Sequence, residues 1–130
     1  MKLLLDTHIF IWLAAAPERL TPQIRKDLED PDNTLLLSVV SIWEMQIKHQ
    51  LGKLELPLPL RSFVRSQLSF NDIQVLPLVE EHIWALGTLP LNHRDPFDRI
   101  LIAQANAENC VLASMDKIFQ KYPVKLLSQN

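Results

Sequence analysis

The apolar residues of this chain fall into short runs, separated by longer segments in which apolar residues recur at helical spacing. Short apolar runs that alternate with helices are typical of strands buried on both faces of a parallel sheet. We predict five such strands, at residues 3–5, 34–38, 73–76, 110–113 and 124–127. The pattern thus predicts an α/β protein.

The segments between the runs carry recognisable helix boundaries. Thr21 supplies a hydroxyl cap directly before Pro22, which is suited to the first helical position. Asp95 and Pro96 open the last helix in the same way, and Gly52 ends an earlier one. We predict helices at residues 7–16, 21–29, 39–51, 60–68, 79–86 and 95–107.

Strands that alternate with helices are expected to form a central, mostly parallel sheet with helices on both faces, a three-layer α/β/α fold. We expect residues 1–130 to form one domain, because the proline-punctuated segment 54–60 is apolar and no linker or repeat interrupts the chain. Binding crevices in such folds lie beyond the carboxyl ends of the strands.

Four acidic residues stand where that crevice is expected. Asp6 directly follows the first predicted strand, and Asp116 closely follows the fourth. Glu44 lies among apolar neighbours in the helix after the second strand, and Asp98 lies in the first turn of the last helix. We therefore expect four carboxylates from four separate elements to meet in one place.

Carboxylates held close together repel one another and take up protons unless a cation lies among them. Oxygen ligands of this kind suit Mg²⁺ or Mn²⁺. Such an ion polarises a phosphodiester, activates water as a nucleophile and stabilises the leaving oxygen. Four converging carboxylates could therefore hold a metal ion suited to hydrolysis of a phosphodiester.

Each carboxylate also has a purely structural interpretation. Asp6 and Asp116 are both suited to capping the turn that follows them. Glu44 is spaced to pair with a lysine one helical turn later, and Asp98 is placed to complete a capping arrangement that Asp95 begins. Taken one at a time, the four residues do not decide between these roles and metal binding.

Composition narrows the function further. The chain has 130 residues, of which 48% are hydrophobic, and this is enough for one core. It contains neither a GxGxxG nor a GxxxxGK[ST] segment, which argues against a glycine-rich phosphate loop. The formal net charge of −2 argues against a passive nucleic-acid-binding module, but less against a nuclease whose acidic residues are neutralised by metal.

Neither disulfides nor zinc are expected. Cys110 is the only cysteine of the sequence, and we expect it to be a small core residue. The four histidines show no HExxH or other zinc pattern, although His8 follows Asp6 closely. No stretch approaches the ~20 apolar residues of a membrane span, and we expect a cytoplasmic protein.

Four sequence blocks together resemble the PIN-domain family, and most closely its VapC-type toxin ribonucleases from toxin–antitoxin modules. The blocks are LLLDTHIFIWL, SVVSIWEMQIKHQLGKLEL, LPLNHRDPFDRILIAQA and LASMDKIFQKYPV, and they occur in the family's order over nearly the whole chain. The resemblance implies a three-layer α/β/α PIN fold and a metal-dependent endoribonuclease activity.

The resemblance assigns the family's catalytic and metal-binding acidic positions to Asp6, Glu44, Asp98 and Asp116, with Mg²⁺ or Mn²⁺ as cofactor. The third position falls on Asp98 because DRILIAQA matches the family's aspartate-led helix. At the fourth, many relatives carry an asparagine-containing TxN-type block, where this chain has Ser114-Met115-Asp116. That departure leaves open whether Asp116 binds metal directly or through water.

Further residues are assigned helper roles. Ser114 and Thr7 are expected to orient a carboxylate or a water molecule, although helix capping explains Thr7 equally well. The basic residues near the matching blocks are candidates for contacts with substrate phosphates: His93, Arg94, Arg99, Lys48 and Lys53.

The resemblance also implies partners. They are an RNA substrate, a cognate antitoxin protein that inserts a C-terminal segment near the site, and a second copy of the chain in a homodimer. Trp12, Trp43 and Trp84 are candidate anchors for protein contacts. We nevertheless expect at least two of these tryptophans to pack in the core.

Three other classes share parts of this pattern. A haloacid-dehalogenase-like phosphatase also begins with a strand that ends in aspartate, but it needs a second aspartate where His8 stands. A phospho-accepting receiver domain needs an aspartate at the end of its third strand, where Pro77 and Leu78 follow here. A catalytically inactive PIN-like scaffold stays open as an alternative, although all four acidic groups are retained.

Overall fold

The structure is a computed structural model that describes residues 1–56, 59–91 and 95–128. The strands within these ranges form one sheet in which every neighbouring pair is parallel. They are β1 (Lys2–Leu5), β2 (Thr34–Ser38), β3 (Ile73–Leu76) and β4 (Val111–Ala113), and their order across the sheet is β3-β2-β1-β4.

The helices of the described ranges begin and end close to their predicted limits. They are α1 (Thr7–Ala15), α2 (Pro22–Glu29), α3 (Val39–Gln50), α4 (Leu60–Phe70), α5 (Glu80–Ala85) and α6 (Pro96–Ala107). Thr21 caps α2, and Asp95 caps α6 through its side chain, as the sequence predicts. Among the described residues, no helix is both long and apolar enough to span a bilayer.

Alternate residues of the central strand point to opposite faces of the sheet, and each face has its own core. Leu3 and Leu5 pack with residues of α1, α2 and α4 in a first core cluster. Leu4 packs with Leu101 and other residues of α6 in a second core cluster. Burial of each such leucine contributes about 2 kcal/mol. Helices on both faces make the fold three layers deep, which confirms the predicted α/β/α class.

The strand order creates a switch point between β1 and β4. The chain runs from β1 outwards through β2 to β3, and then returns to the other side of β1 as β4. At such a point the connections leave the sheet in opposite directions and open a crevice beyond the carboxyl ends of the strands. Asp6 directly follows β1, and Ser114 directly follows β4, so both lie at this edge.

The prediction of a fifth strand at residues 124–127 is wrong. Only Leu126 bridges to the sheet, opposite Leu112 of β4. Backbone hydrogen bonds join Leu112 N to Lys125 O at 2.8 Å and Leu127 N to Leu112 O at 2.9 Å. Because β4 has only three residues, its outer edge offers few backbone groups for a longer ladder.

The expectation that at least two tryptophans pack in the core is also wrong. Trp12 packs against the first core cluster, but the side chains of Trp43 and Trp84 are exposed. Trp43 makes an edge-on contact with the Phe97 ring, and Trp84 donates from Nε1 to Glu80 of its own helix. An aromatic residue type does not by itself fix the helix face on which the residue lies.

Candidate active site

A small cleft of about 110 Å³ opens at the switch point between β1 and β4. The residues that line it follow β1 and β4 or belong to α3 and the start of α6: Asp6, Thr7, His8, Glu44, Lys48, Asp95, Asp98 and Asp116. The structure therefore brings together the four carboxylates that the sequence indicates, and it adds a fifth.

A larger, open depression of about 790 Å³ has a different character. It lies around residues 18–31, where Arg25 is mixed with acidic side chains. Arg25 and Glu29 form an exposed ion pair at 3.4 Å, a kind of pair that contributes little to stability. Charges of both signs are solvated there, so this surface does not concentrate carboxylates as the small cleft does.

Asp6 is buried at the floor of the cleft. Its backbone N–H donates to the Ala113 carbonyl of β4 at 3.0 Å, and its carboxylate accepts from the Ile9 N–H at 2.8 Å, which caps α1. Burial is the main reason that the pKa of Asp6 rises from 3.8 to about 6. The Asp98 carboxylate adds to this rise, whereas the hydrogen bonds from Ile9 and Ser114 oppose it.

The raised pKa means that ionised Asp6 destabilises the folded chain when no cation is near it. A carboxyl group whose pKa is higher in the folded than in the unfolded state contributes stability below its unfolded pKa, here 3.8. That contribution is lost as the pH rises through about 6. A cation beside the carboxylate compensates its charge and lowers its pKa.

Glu44 is buried, and the chain itself engages both of its carboxylate oxygens. The Thr7 hydroxyl donates to Oε1 at 2.6 Å, and the Lys48 ammonium lies 2.8 Å from Oε2. The Ser41 hydroxyl lies 3.0 Å from that of Thr7. Ser41 and Lys48 share one face of α3 with Glu44, because residues three or four positions apart are neighbours on a helix. The sequence interpretation missed Ser41. Its helical spacing from Glu44 is the sequence signal that could have pointed to it.

Two aspartates enter the cleft from the start of α6. Asp95 caps the helix, since its Oδ1 accepts from the N–H groups of Phe97 at 2.9 Å and Asp98 at 3.2 Å. Asp98 is half-buried in the first turn and lies close enough to Asp6 to raise the pKa of that carboxyl. The sequence interpretation treated Asp95 only as a cap, and the structure shows that it also lines the cleft.

Asp116 lies at the exposed rim. Its Oδ1 accepts from the Ile118 N–H at 3.0 Å and thereby caps the short 3₁₀ turn at Lys117–Lys121. The buried Ser114 hydroxyl accepts from the Asp116 N–H at 3.0 Å and is also hydrogen-bonded to Asp6. Ser114 therefore connects the carboxylate after β1 with the backbone after β4.

The basic residues that the sequence singles out do not all lie at the cleft. Lys48 lines it, whereas Lys53 is exposed beyond the end of α3. Arg94 and His93 lie outside the described residues.

Arg99 is turned towards a different part of the surface. Its Nη1 donates to the Pro90 carbonyl at 2.7 Å, and its guanidinium carbon lies 6.0 Å from the centre of the Tyr122 ring. It is not among the residues that line the cleft. Its position therefore gives no support to a contact with a phosphate held there.

A complete coordination shell is not preformed in the described part of the chain, where no three His, Cys, Asp or Glu side chains form a group that could hold a metal ion. Donors of the chain engage the carboxylates instead, such as the Ile9 N–H on Asp6 and the Thr7 hydroxyl on Glu44. Carboxylate oxygens are nevertheless the ligands that Mg²⁺ and Mn²⁺ prefer. By donor type and by charge the residues fit such an ion, and side-chain rotation within the cleft would have to complete its shell.

The fold and the cleft together define an α/β/α protein with a carboxylate cluster at the switch point of a parallel sheet. The chain matches the family model of the PIN domain over residues 3–125. It therefore belongs to the PIN domain family, whose members are generally nucleases. The match confirms the family predicted from the four sequence blocks. It also favours that family over the phosphatase and receiver-domain alternatives.

Three solved structures that are similar to this chain contain toxin–antitoxin proteins. One is VapBC2 from Rickettsia felis bound to a fragment of its promoter DNA. It aligns with a TM-score of 0.74 and 19% identity over 98% of each chain. VapBC-1 from nontypeable Haemophilus influenzae aligns with a TM-score of 0.64 and 21% identity over 93% of this chain and 92% of the other.

The third is a toxin–antitoxin complex from Klebsiella pneumoniae, with a TM-score of 0.61 and 15% identity over 98% of this chain and 97% of the other. At these identities the similarity establishes the fold. No curated protein sequence matches the chain significantly.

Proposed function

We propose that this chain is a divalent-metal-dependent endoribonuclease that acts as the toxin of a toxin–antitoxin pair. The observation that carries the proposal is the meeting of carboxylates from separate elements in one cleft of about 110 Å³. Membership of a family whose members are generally nucleases supports hydrolysis of a phosphodiester as the reaction.

The proposed cofactor is Mg²⁺ or Mn²⁺, since PIN nucleases generally depend on divalent metals. Asp6, Glu44 and Asp98 would hold the ion, and Asp116 would bind it from the rim, either directly or through water. When bound, the ion supplies the Lewis acidity that polarises the phosphodiester, activates water and stabilises the leaving oxygen.

The hydroxyl groups of the chain orient the proposed ligands. Thr7 fixes one oxygen of Glu44, and Ser114 connects Asp6 with the backbone of Asp116. Partners of this kind restrict how a ligand is aimed, and the loss of one leaves a buried polar group unsatisfied. Burial of Asp6 also strengthens its attraction to a positive charge in the cleft, because the effective dielectric constant there is lower than in water.

From the resemblance of the four sequence blocks to VapC-type toxins, we also propose RNA as the substrate, an antitoxin as the partner and a homodimer. The similar structures support the antitoxin, since they contain VapBC proteins or a toxin–antitoxin complex. The exposed side chains of Trp43 and Trp84 offer apolar surface for such contacts.

The purified chain is expected to cleave RNA in the presence of Mn²⁺ or Mg²⁺ and to lose this activity in EDTA. The physical reason is that the carboxylates of the cleft repel a phosphate unless a cation neutralises them. A defined RNA with hairpin loops and unpaired segments is incubated with the protein and resolved by gel, with DNA of the same sequence as control. Addition of Mn²⁺ in excess of EDTA should restore cleavage.

Cleavage at the same rate in EDTA contradicts the metal-dependent mechanism. Absence of cleavage by folded protein that binds Mn²⁺, over a broad panel of RNAs, would instead support the inactive scaffold.

The toxin proposal predicts that high expression of the chain alone arrests growth of a bacterial host, because unrestrained RNA cleavage stops protein synthesis. Growth is followed after induction, with Glu44→Gln as a control of nearly the same size that loses the charge of a proposed ligand, provided the blot shows it as intact as the wild type. Normal growth with intact wild-type protein, confirmed on a blot, counts against a toxin.

A further inference from the structure

Lys48 is a cationic side chain that lines the carboxylate cleft itself. Its Nζ lies 2.8 Å from Glu44 Oε2, and the Lys48 side chain is 36% exposed whereas that of Glu44 is 10% exposed. The Thr7 hydroxyl occupies the other oxygen of Glu44. Glu44 therefore meets the positive charge of its own chain at the place where a metal ion is expected.

We propose that Lys48 is a built-in counter-cation, which neutralises Glu44 in the metal-free cleft and which a divalent ion has to displace in order to bind. This inference rests on the proposed function, because it takes Glu44 as a metal ligand. Lys48 is then a positioning residue that sets how tightly the cleft holds Mg²⁺ or Mn²⁺.

Electrostatic repulsion prevents Glu44 from pairing with Lys48 and binding a metal ion at the same time. A metal ion coordinated by the carboxylate would stand within a few ångströms of the Lys48 ammonium, and like charges at that distance repel strongly in a partly buried site. The ion pair thus agrees with the finding that, in the described part of the chain, no three His, Cys, Asp or Glu side chains are arranged to hold a metal ion together.

The different exposure of the two partners decides which of them moves. Glu44 is buried on α3 and remains tied to Thr7, so it cannot leave the cleft without losing a buried hydrogen bond. Lys48 carries a point charge on a flexible stem, and about a third of it already reaches solvent. Rotation of its ammonium into water therefore costs little, and the stem remains packed.

A contact between Lys48 and a substrate phosphate is the alternative role. If Lys48 only contacts a phosphate, it has no task in the empty cleft. Removal of its charge then leaves the affinity of the RNA-free protein for metal unchanged or weakens it. The counter-cation role predicts the opposite, a tighter metal site when the charge is removed. The two roles are therefore separated by metal titration without RNA.

The test is calorimetric titration of the full chain with Mn²⁺ for the wild type, Lys48→Met, Lys48→Arg and Lys53→Met. We expect Lys48→Met to bind Mn²⁺ about fivefold more tightly than the wild type, the size of a modest ion-pair coupling. Lys48→Arg keeps the charge and should bind like the wild type. Lys53→Met removes an equal charge from an exposed position near the end of α3, and its affinity should change less than about twofold.

A double-mutant comparison tests whether Lys48 acts through Glu44. In the Glu44→Gln background the carboxylate charge is gone, so addition of Lys48→Met should no longer tighten Mn²⁺ binding. Thermal unfolding in EDTA gives a readout without metal, and there Lys48→Met should melt lower than Lys53→Met because Glu44 has lost its counter-charge. If Lys48→Met does not fold, Lys48→Gln replaces it under the same criteria.

Equal or weaker Mn²⁺ binding by Lys48→Met than by Lys53→Met overturns the inference, and weaker RNA binding with unchanged Mn²⁺ affinity assigns Lys48 to the phosphate instead. If the wild type binds Mn²⁺ and cleaves RNA while Lys48→Met binds no tighter, only the role of Lys48 fails. If neither protein binds Mn²⁺ and the wild type leaves RNA intact, the proposed function fails and the counter-cation role fails with it.

Discussion

Asp6→Asn is expected to lower metal-dependent RNA cleavage by about a thousandfold or more, while the protein stays folded. The substitution removes the buried charge at the floor of the cleft but keeps an oxygen that can accept from the Ile9 N–H. Cleavage rates at saturating Mn²⁺ are compared with those of the wild type and of Asp30→Asn, which makes the same change at an exposed turn outside the cleft.

The same substitution should stabilise the metal-free protein at neutral pH. The stability that wild-type Asp6 contributes is fully present below its unfolded pKa of 3.8, and it is lost as the pH rises through about 6. An asparagine side chain at this position carries no charge to desolvate, so Asp6→Asn should exceed the wild type in unfolding free energy by up to about 3 kcal/mol at pH 7–8. The difference should vanish near pH 4, as measured by urea unfolding in EDTA.

Two results would contradict this view of Asp6. One is cleavage by Asp6→Asn within a few-fold of the wild type, which removes Asp6 from the proposed metal ligands. The other is a loss of stability at pH 8 relative to the wild type, which shows that the carboxylate is a structural cap whose charge stabilises the metal-free fold.

Asp98→Asn is expected to lower cleavage by about a hundredfold or more, whereas Asp95→Asn should stay within about fivefold of the wild type. The negative charge of Asp98 raises the pKa of Asp6 in the cleft, whereas the carboxylate of Asp95 caps α6. Asparagine caps a helix about as well as aspartate, so the Asp95 variant keeps the helix start. Both variants carry the same chemical change at the start of one helix.

Steady-state cleavage rates and Mn²⁺ affinities of the two variants give the comparison. If Asp95→Asn loses as much activity as Asp98→Asn, both aspartates at the start of α6 contribute to the reaction. The assignment of Asp98 alone from the sequence is then wrong. Full activity of Asp98→Asn excludes it as a ligand.

The features that the sequence predicts well are those fixed by local chemistry. Thr21 with Pro22, and Asp95 with Pro96, mark helix starts through backbone hydrogen bonds that involve only a few neighbouring residues. The leucine run before Asp6 marks a strand buried on both faces. Convergence of the carboxylates then follows from the rule that parallel strands share one carboxyl edge.

Contacts between distant segments are not encoded by such local patterns. The hydrogen bond of Thr7 to Glu44 joins residues that are 37 positions apart, and the sequence only suggested that Thr7 orients some carboxylate or water. His82 gave no signal beyond its residue type, yet it is fully buried, accepts from the Val79 N–H and pairs with Glu108. Burial and side-chain direction depend on the packed fold, which the pattern alone does not specify.

The alternatives of capping and site membership turned out to be compatible. Asp6 and Asp116 each cap the following turn and also line the cleft. A carboxylate has two oxygens with several lone pairs, so a single backbone N–H leaves acceptor capacity for another partner. The sequence interpretation treated capping and site membership as alternatives, whereas in the structure the same side chains do both.

The central claim is that carboxylates from separate elements share a divalent cation in this cleft. Anomalous diffraction at the manganese edge, from crystals equilibrated with Mn²⁺, tests it most directly. The account predicts a strong peak about 2.1 Å from carboxylate oxygens of Asp6 and at least one of Glu44 and Asp98. Ordered, metal-free carboxylates in the cleft, with manganese bound only elsewhere on the protein, would contradict it.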